Sequence, residues 1–258
     1  MVSKKRSCAF CGEQNNLTRE HIFPNGVIRT YEEALLSLND KSDRYFKADL
    51  VVKDVCESCN NGALSVIDGY FVKLFESHMH PPLLPGDSAE FEFNYNYLLR
   101  ELLKISYNSA RASADGFRAV AALRKYVPYI LGNVSYTPDV ILRLQIVTSS
   151  KRFNTHTNQI DGTMDAELLR SCKISYNGPQ HSNFMIRLIA LNSFWFYLII
   201  PLKSVSSSKK ETFINGFKDN IRLSGVPINS TMDFVSIPKE KTTYMHPGLL
   251  ESMSRKHV

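Results

Sequence analysis

Four of the five cysteines stand as two C-x-x-C pairs, Cys8 with Cys11 and Cys56 with Cys59; the fifth, Cys172, is alone. Two thiolates at this spacing can grip one ion from a tight turn, and two such turns complete a tetrahedron of the kind zinc prefers. Gly12 and Asn60 follow the second cysteine of each pair, where a tight turn needs a small or turn-forming residue. Four thiolates leave no open position for water and give a zinc site a net charge of −2, so this site is expected to be structural. Between Cys11 and Cys56 lie 44 residues, against the roughly 12–20 of short zinc ribbons and fingers. The extra length leaves room for a hairpin and more, held shut by the ion.

Inside that loop runs Thr18-Arg19-Glu20-His21-Ile22-Phe23-Pro24-Asn25-Gly26. Neutral imidazole accepts a proton near pH 7, which suits His21 to general-base chemistry. The Glu20 carboxylate and the Asn60 amide carbonyl are hard oxygen donors that suit Mg²⁺ or Mn²⁺. Asn60 follows a cysteine of the cluster directly, so an ion there would fix its position. On a regular strand, however, Glu20 and His21 face opposite sides. Each residue also has a plainer role open to it: His21 as a packed structural histidine, Glu20 as a surface charge, Asn60 as a helix N-cap. Asn61 reads as a cap or turn residue. Asp68, seven residues on and on the same helix face, either orients a neighbour or is a surface aspartate. His78 and His80 sit in a Pro-rich stretch and read as loop residues ahead of a metal pair.

The succession C-x-x-C, then E-H-I-x-P, then C-x-x-C-N-N resembles the HNH (ββα-metal) endonuclease family, bacterial or phage type, over residues 8–70. The resemblance implies a ββα-metal module in which His21 takes the proton of the attacking water. It also implies that Glu20 and Asn60 hold the catalytic divalent ion, which stabilises the leaving 3′-oxygen and leaves 5′-phosphate products. Glu20 stands where Asp or His is more usual, and Asn60 where His is usual. No asparagine precedes Cys56 at the expected middle position; the stretch reads Leu50-Val51-Val52-Lys53-Asp54-Val55, with Asp54 as a stand-in. A role in restriction or anti-phage defence is what the resemblance suggests. The expected ligand is DNA, with RNA as the alternative, and the candidate partners are a second copy of the chain (a homodimer) or a defence-system protein. A zinc-ribbon nucleic-acid binder without catalysis is the competing reading.

The elements that must position these residues are partly readable. Leu64, Ile67, Phe71, Leu74 and Phe75 recur at helical spacing within 61–77. The breaker-rich run His78-Met79-His80-Pro81-Pro82-Leu83-Leu84-Pro85-Gly86-Asp87 marks a linker over 78–90. The expectation is therefore an α+β chain: a zinc-stapled module over 1–77, the linker, and a mixed α/β domain over 91–258 whose topology is open. That second part offers helices over 95–114 and 116–131, separated near Asp115-Gly116, with Pro128 kinking or ending the second. Strands are expected at Val140–Thr148, Cys172–Tyr176, Phe184–Leu191 and Phe194–Ile200, and a loop at Ser206–Lys210. Cys172 is expected as a small buried strand residue. Phe194-Trp195-Phe196-Tyr197 reads as core packing ahead of a base-stacking platform.

The formal charge of +6 favours an anionic partner. Residues 1–86 hold 10 basic and 11 acidic residues, which leaves 21 basic and 14 acidic beyond them. Backbone attraction for a nucleic acid would therefore come from the later part. Lys104, Arg111, Arg118 and Lys125 recur every seven residues and are the candidate basic stripe, against a plain solvated helix face. The basic Met1–Arg6 leads into no apolar stretch, so no signal peptide is expected and a reducing cytoplasm fits the thiols. The apolar run from Phe184 to Leu202 contains Arg187, Asn192 and Pro201 and is read as two core strands, with no membrane span.

Overall fold

The computed structural model describes residues 6–246 and 249, except 15, 32–35, 40–43, 48–49, 114–115, 138, 175–179, 181 and 221–224. The expected break at Asp115 and the expected strand end at Tyr176 lie outside the described residues. The chain is mixed α and β, with helices and antiparallel sheets, and forms two compact units: Met1–Leu74 with Asn96–Pro138, and Phe75–Tyr95 with Asp139–Val258. The two long helices that the sequence assigns to the second part thus belong with the cysteine-bearing segment. The breaker-rich stretch before them belongs with the later strands.

In the first unit, β1 (Leu17–His21) pairs antiparallel with β4 (Val51–Cys56), running from Leu17 opposite Cys56 to His21 opposite Val51. Between Thr18 and Glu20 the single residue Arg19 faces two residues of β4, a bulge that re-aims the side chains on either side. After β1, Pro24 precedes the one-turn α1 (Asn25–Ile28). Gly26 is required there, because a Cβ would lie 2.7 Å from a methyl of Val72. Within the long loop, β2 (Leu36–Asn39) pairs antiparallel with β3 (Arg44–Lys47).

β4 delivers Cys56 straight into a helical run: α2 (Glu57–Cys59), a wide turn at Asn60–Leu64, α3 (Ser65–Leu74) and a second wide turn at Phe75–Met79. The run is longer at both ends than the expected 61–77. Gly62 is non-helical at φ −98° and ψ −110°, and Ser65 Oγ shares its one hydrogen between the carbonyls of Asn61 and Gly62, each at 2.8 Å, which supports the backbone through this kink. Leu64, Ile67, Phe71 and Leu74 are buried, as their spacing predicts.

α4 (Tyr95–Ala112) is buried on every side from Leu98 to Ala110 apart from Arg100, so it is the central helix of this unit. α5 (Gly116–Arg124) and α6 (Val127–Ile130) follow. Pro128 does not end a helix: it lies in the first turn of α6, where a missing N–H forfeits no helical bond.

The second unit is built on a sheet in the order β12–β6–β11–β10–β9, with β14 (Thr243–Tyr244) parallel to β6. Here β6 is Ile141–Thr148, β9 Leu169–Ile174, β10 Phe184–Leu191, β11 Phe194–Pro201 and β12 Val226–Ile228. Every residue of β10 and β11 is buried, which explains why both read as continuous apolar runs without alternation. One face packs Trp195, Tyr197, Phe184 and Ile186 with Phe213 of α7 (Ser207–Asn220). On the other face Phe194 and Phe196 meet Phe91 of β5 (Ala89–Glu92), which pairs with β13 (Phe234–Ile237). The hairpin between β10 and β11 turns on Asn192, at φ 50°, whose amide donates to the Met79 carbonyl at 2.9 Å.

The expected loop at Ser206–Lys210 is instead the start of α7: Ser206 Oγ accepts from the Lys209 amide at 3.4 Å, so the serines mark an N-cap. β7 (Ser150–Asn154) and β8 (Gln159–Met164) form an exposed hairpin that the sequence reading lacks. Among the described residues, no helix is long and apolar enough to cross a membrane.

Candidate functional site

The four paired cysteines converge. One sulfur from each of Cys8, Cys11, Cys56 and Cys59 lies within 4.8 Å of all the others, with Cys11 and Cys56 Sγ 3.4 Å apart. A tetrahedron with metal–sulfur arms of about 2.3 Å has edges of about 3.8 Å, so the donor set and its size fit a single structural ion. The first pair sits on a tight knuckle in which the Gly12 amide donates to the Cys8 carbonyl at 2.9 Å and Gly12 takes φ +84°. The second pair straddles the passage from β4 into α2. Burial works against ionisation at Cys56, but hydrogen bonds from Ser58, the Cys59 backbone and the facing thiols bring its thiol down to about 6. Burial pushes the Cys59 thiol up. Cys172 lies half-buried in β9, outside this cluster.

Asn60 is directed back onto β1. Its Nδ2 donates to Thr18 Oγ1 at 2.9 Å and to the Arg19 carbonyl at 3.1 Å, while Thr18 Oγ1 donates to the Val55 carbonyl at 3.0 Å. The chain of donors fixes the amide orientation: a carbonyl can only accept, so Nδ2 faces the strand and Oδ1 is left to accept or to coordinate. Asn60 is thereby joined to the residue immediately before Glu20-His21.

Glu20 and His21 part ways. Glu20 is 3% exposed and its carboxylate is 3.0 Å from Lys104 Nζ, in the interior of the unit. His21 is half-buried, and its carbonyl accepts from Asn108 Nδ2 at 3.2 Å. The bulge at Arg19 does not bring the Glu20 carboxylate out to the exposed side of β1.

Lys104 is wholly buried and is held by three carboxylates: Glu20, Glu101 at 3.2 Å and, in a short hydrogen bond, Asp68. Desolvation works against its charge, but the carboxylates of Glu101, Asp68 and Glu20 more than offset it and hold the ammonium protonated above the ordinary lysine range. Burial raises Glu101 well above the ordinary carboxyl range and raises Glu20 as well, with Lys104 pulling both back down. Asp68, 25% exposed, is the member that reaches water. It is therefore neither a plain surface residue nor isolated.

The expected basic stripe is corrected by this packing. Lys104 is internal, and the side chain of Arg111 is largely buried, 2.7 Å from Asp54 and lying over the rings of Phe10 and Tyr107. Arg118 and Lys125 are exposed, Lys125 over the ring of Tyr126. Two of the four thus face protein. Asp54, the stand-in for the missing middle asparagine, spends its carboxylate on Arg111 while its carbonyl accepts from the Ala9 amide at 2.8 Å, tying β4 to the first cysteine knuckle. Arg6, Lys53, Asp54 and Arg111 line one open cleft beside Val51 and Val52.

His78 Nδ1 donates to the Glu90 carbonyl at 3.2 Å and its ring abuts Phe91, and His80 stacks on Phe75; among the described residues, neither joins a metal-binding group. The aromatic run 194–197 is core. Sequence reasoning missed Glu101 as part of the site, and it singled out the run Lys104-Ile105-Ser106-Tyr107-Asn108 without giving the run a role. One signal was present: Lys104 is flanked by Leu102, Leu103 and Ile105 in a helix apolar on every side, a setting in which lysine is internal and paired. No family model, curated protein or solved structure matches this chain.

Proposed function

We propose that the chain is a metal-dependent endonuclease of the HNH type that hydrolyses phosphodiester bonds in DNA, built on a zinc ion held by Cys8, Cys11, Cys56 and Cys59. Three features support the reading. Two antiparallel strands, β1 and β4, run directly into a helix. The four thiols tie the loop before β1 to the start of that helix. The observation that carries most weight is the placement of Asn60: both its amide hydrogens are used on Thr18 and Arg19 of β1, the residues that lead into Glu20-His21, leaving Oδ1 to accept or to coordinate.

In this reading His21 accepts the proton of the attacking water, and Asn60 Oδ1 is a donor to a Mg²⁺ or Mn²⁺ ion that stabilises the leaving oxygen. Glu20, which the resemblance makes the second donor, is assigned no coordination while it is buried on Lys104. The cleft with Arg6, Lys53 and Arg111 around one carboxylate, together with the exposed Arg118 and Lys125, supplies positive charge for a phosphate backbone.

The burial of Glu20 on Lys104 favours a second reading, a zinc-stapled nucleic-acid binder without catalysis. Plasmid cleavage with Mg²⁺ or Mn²⁺ separates the two. Wild type should cleave, and His21→Ala should lose at least 100-fold in rate while keeping its zinc and melting temperature. Metal-independent cleavage retained by His21→Ala refutes the base assignment, and binding without cleavage by wild type establishes the second reading.

A further inference from the structure

We infer that Lys104 and Asn108, one turn apart on α4, are positioning residues that hold the consecutive residues Glu20 and His21 in place. The inference rests on the nuclease reading for its catalytic meaning and on the packing for its geometry. Lys104 grips the Glu20 side chain at 3.0 Å, and Asn108 Nδ2 grips the His21 backbone carbonyl at 3.2 Å. The same helix extends this grip in both directions along the cysteine-bearing segment: Tyr107 OH donates to the Ala9 carbonyl at 3.2 Å, and Arg111 pairs with Asp54. Positions 104, 108 and 111 share one helix face. That face meets, in order, the end of β1 and the bulged part of β4.

Neither residue belongs there on grounds of stability alone. Both are 0% exposed. Asn108 Oδ1 is buried with no hydrogen-bond partner among the described residues, a cost that an apolar residue of similar size avoids. A buried ammonium among carboxylates is no better, on average, than well-packed apolar side chains of the same volume. What polar groups offer at these sites is direction: one fixes where the Glu20 carboxylate goes, and the other fixes the peptide from which the His21 ring projects. A general base has to be held within a fraction of an ångström to act, and a displacement of about 1 Å can cost 100-fold in rate.

The test uses the full-length zinc-loaded protein with Asn108→Leu, which removes one hydrogen bond at nearly constant volume, and with Lys104→Met assayed below its melting temperature. Asn108→Leu keeps the inference testable if Lys104→Met fails to fold. The expected result for Asn108→Leu is full zinc content and a kcat for plasmid cleavage lower by about 100-fold, with KM within about twofold. A role confined to folding would not give that split. The amide of Ile22, which donates to the Leu50 carbonyl at 2.7 Å, should exchange at least tenfold faster with deuterium, while amides of β10 and β11 stay unchanged. Cleavage at wild-type kcat in Asn108→Leu overturns the inference and leaves the nuclease reading standing. If wild type cleaves nothing, the nuclease reading fails, and exchange decides alone: local acceleration at Ile22 supports the grip on β1, and unchanged exchange overturns it.

Discussion

Replacing Lys104 with methionine removes the cation that Glu20, Glu101 and Asp68 share. Each responds differently. Glu101 is already raised well above the ordinary carboxyl range by burial, so it adds little further cost. Asp68 is 25% exposed and can turn to water. Glu20, 3% exposed, loses its partner and must take up a proton. At pH 7, with an ordinary value of 4.5 for that carboxyl, protonation costs at most about 3.4 kcal/mol at about 1.36 kcal/mol per pH unit, a ceiling because burial already raises Glu20 in the wild type. The figure agrees with the roughly 3–5 kcal/mol expected when one partner of a buried ion pair is removed. For a unit of about 120 residues it corresponds to a fall of roughly 10–15 °C in melting temperature. A carboxyl raised in the folded state contributes stability at pH below its ordinary value and loses it as pH rises toward the folded value. The Lys104→Met defect should therefore deepen between pH 6 and pH 8, by up to about 1.4 kcal/mol per pH unit. Adding Glu20→Gln should recover at least about 2 kcal/mol, because the amide needs no proton. Thermal and urea unfolding of the two variants at pH 6, 7 and 8 measures all of this. A Lys104→Met protein that melts with wild type, or a double variant no more stable than the single one, refutes the account of the cluster.

Two other outcomes follow from the same geometry. Cys8→Ser or Cys59→Ser should unfold the unit that carries β1, β4 and α4, since the binding free energy of a structural ion, about 10–16 kcal/mol for zinc-finger peptides, is folding free energy; unchanged melting with full zinc content contradicts this. The stability of Glu101→Gln relative to wild type should rise between pH 6 and pH 8, because wild-type Glu101 gives up stability as pH rises from its ordinary value of 4.5 toward its raised folded one, while the amide does not titrate. A gap independent of pH, measured by urea unfolding, places the raised carboxyl elsewhere.

The sequence by itself determined the parts that depend on local spacing. The two C-x-x-C pairs close on one another because a turn of four residues dictates where two sulfurs point, and the matching pair has the same spacing. The helix with Leu64, Ile67, Phe71 and Leu74, and the strands from Phe184 and Phe194, were legible because burial imposes a period, or a continuous apolar run, on the residues concerned. Tertiary structure decided the rest. Lys104 and Arg111 read as surface charges because heptad spacing describes a helix face and says nothing of what covers it; in the fold that face meets Glu20 and Asp54. The unit boundary was equally invisible, since α4 returns to the cysteine-bearing segment across an intervening stretch that pairs with later strands. Ion pairs such as Lys104–Glu20 join residues more than eighty positions apart, and no local propensity encodes them. They form only when packing removes water from both charges and leaves each as the best partner available to the other.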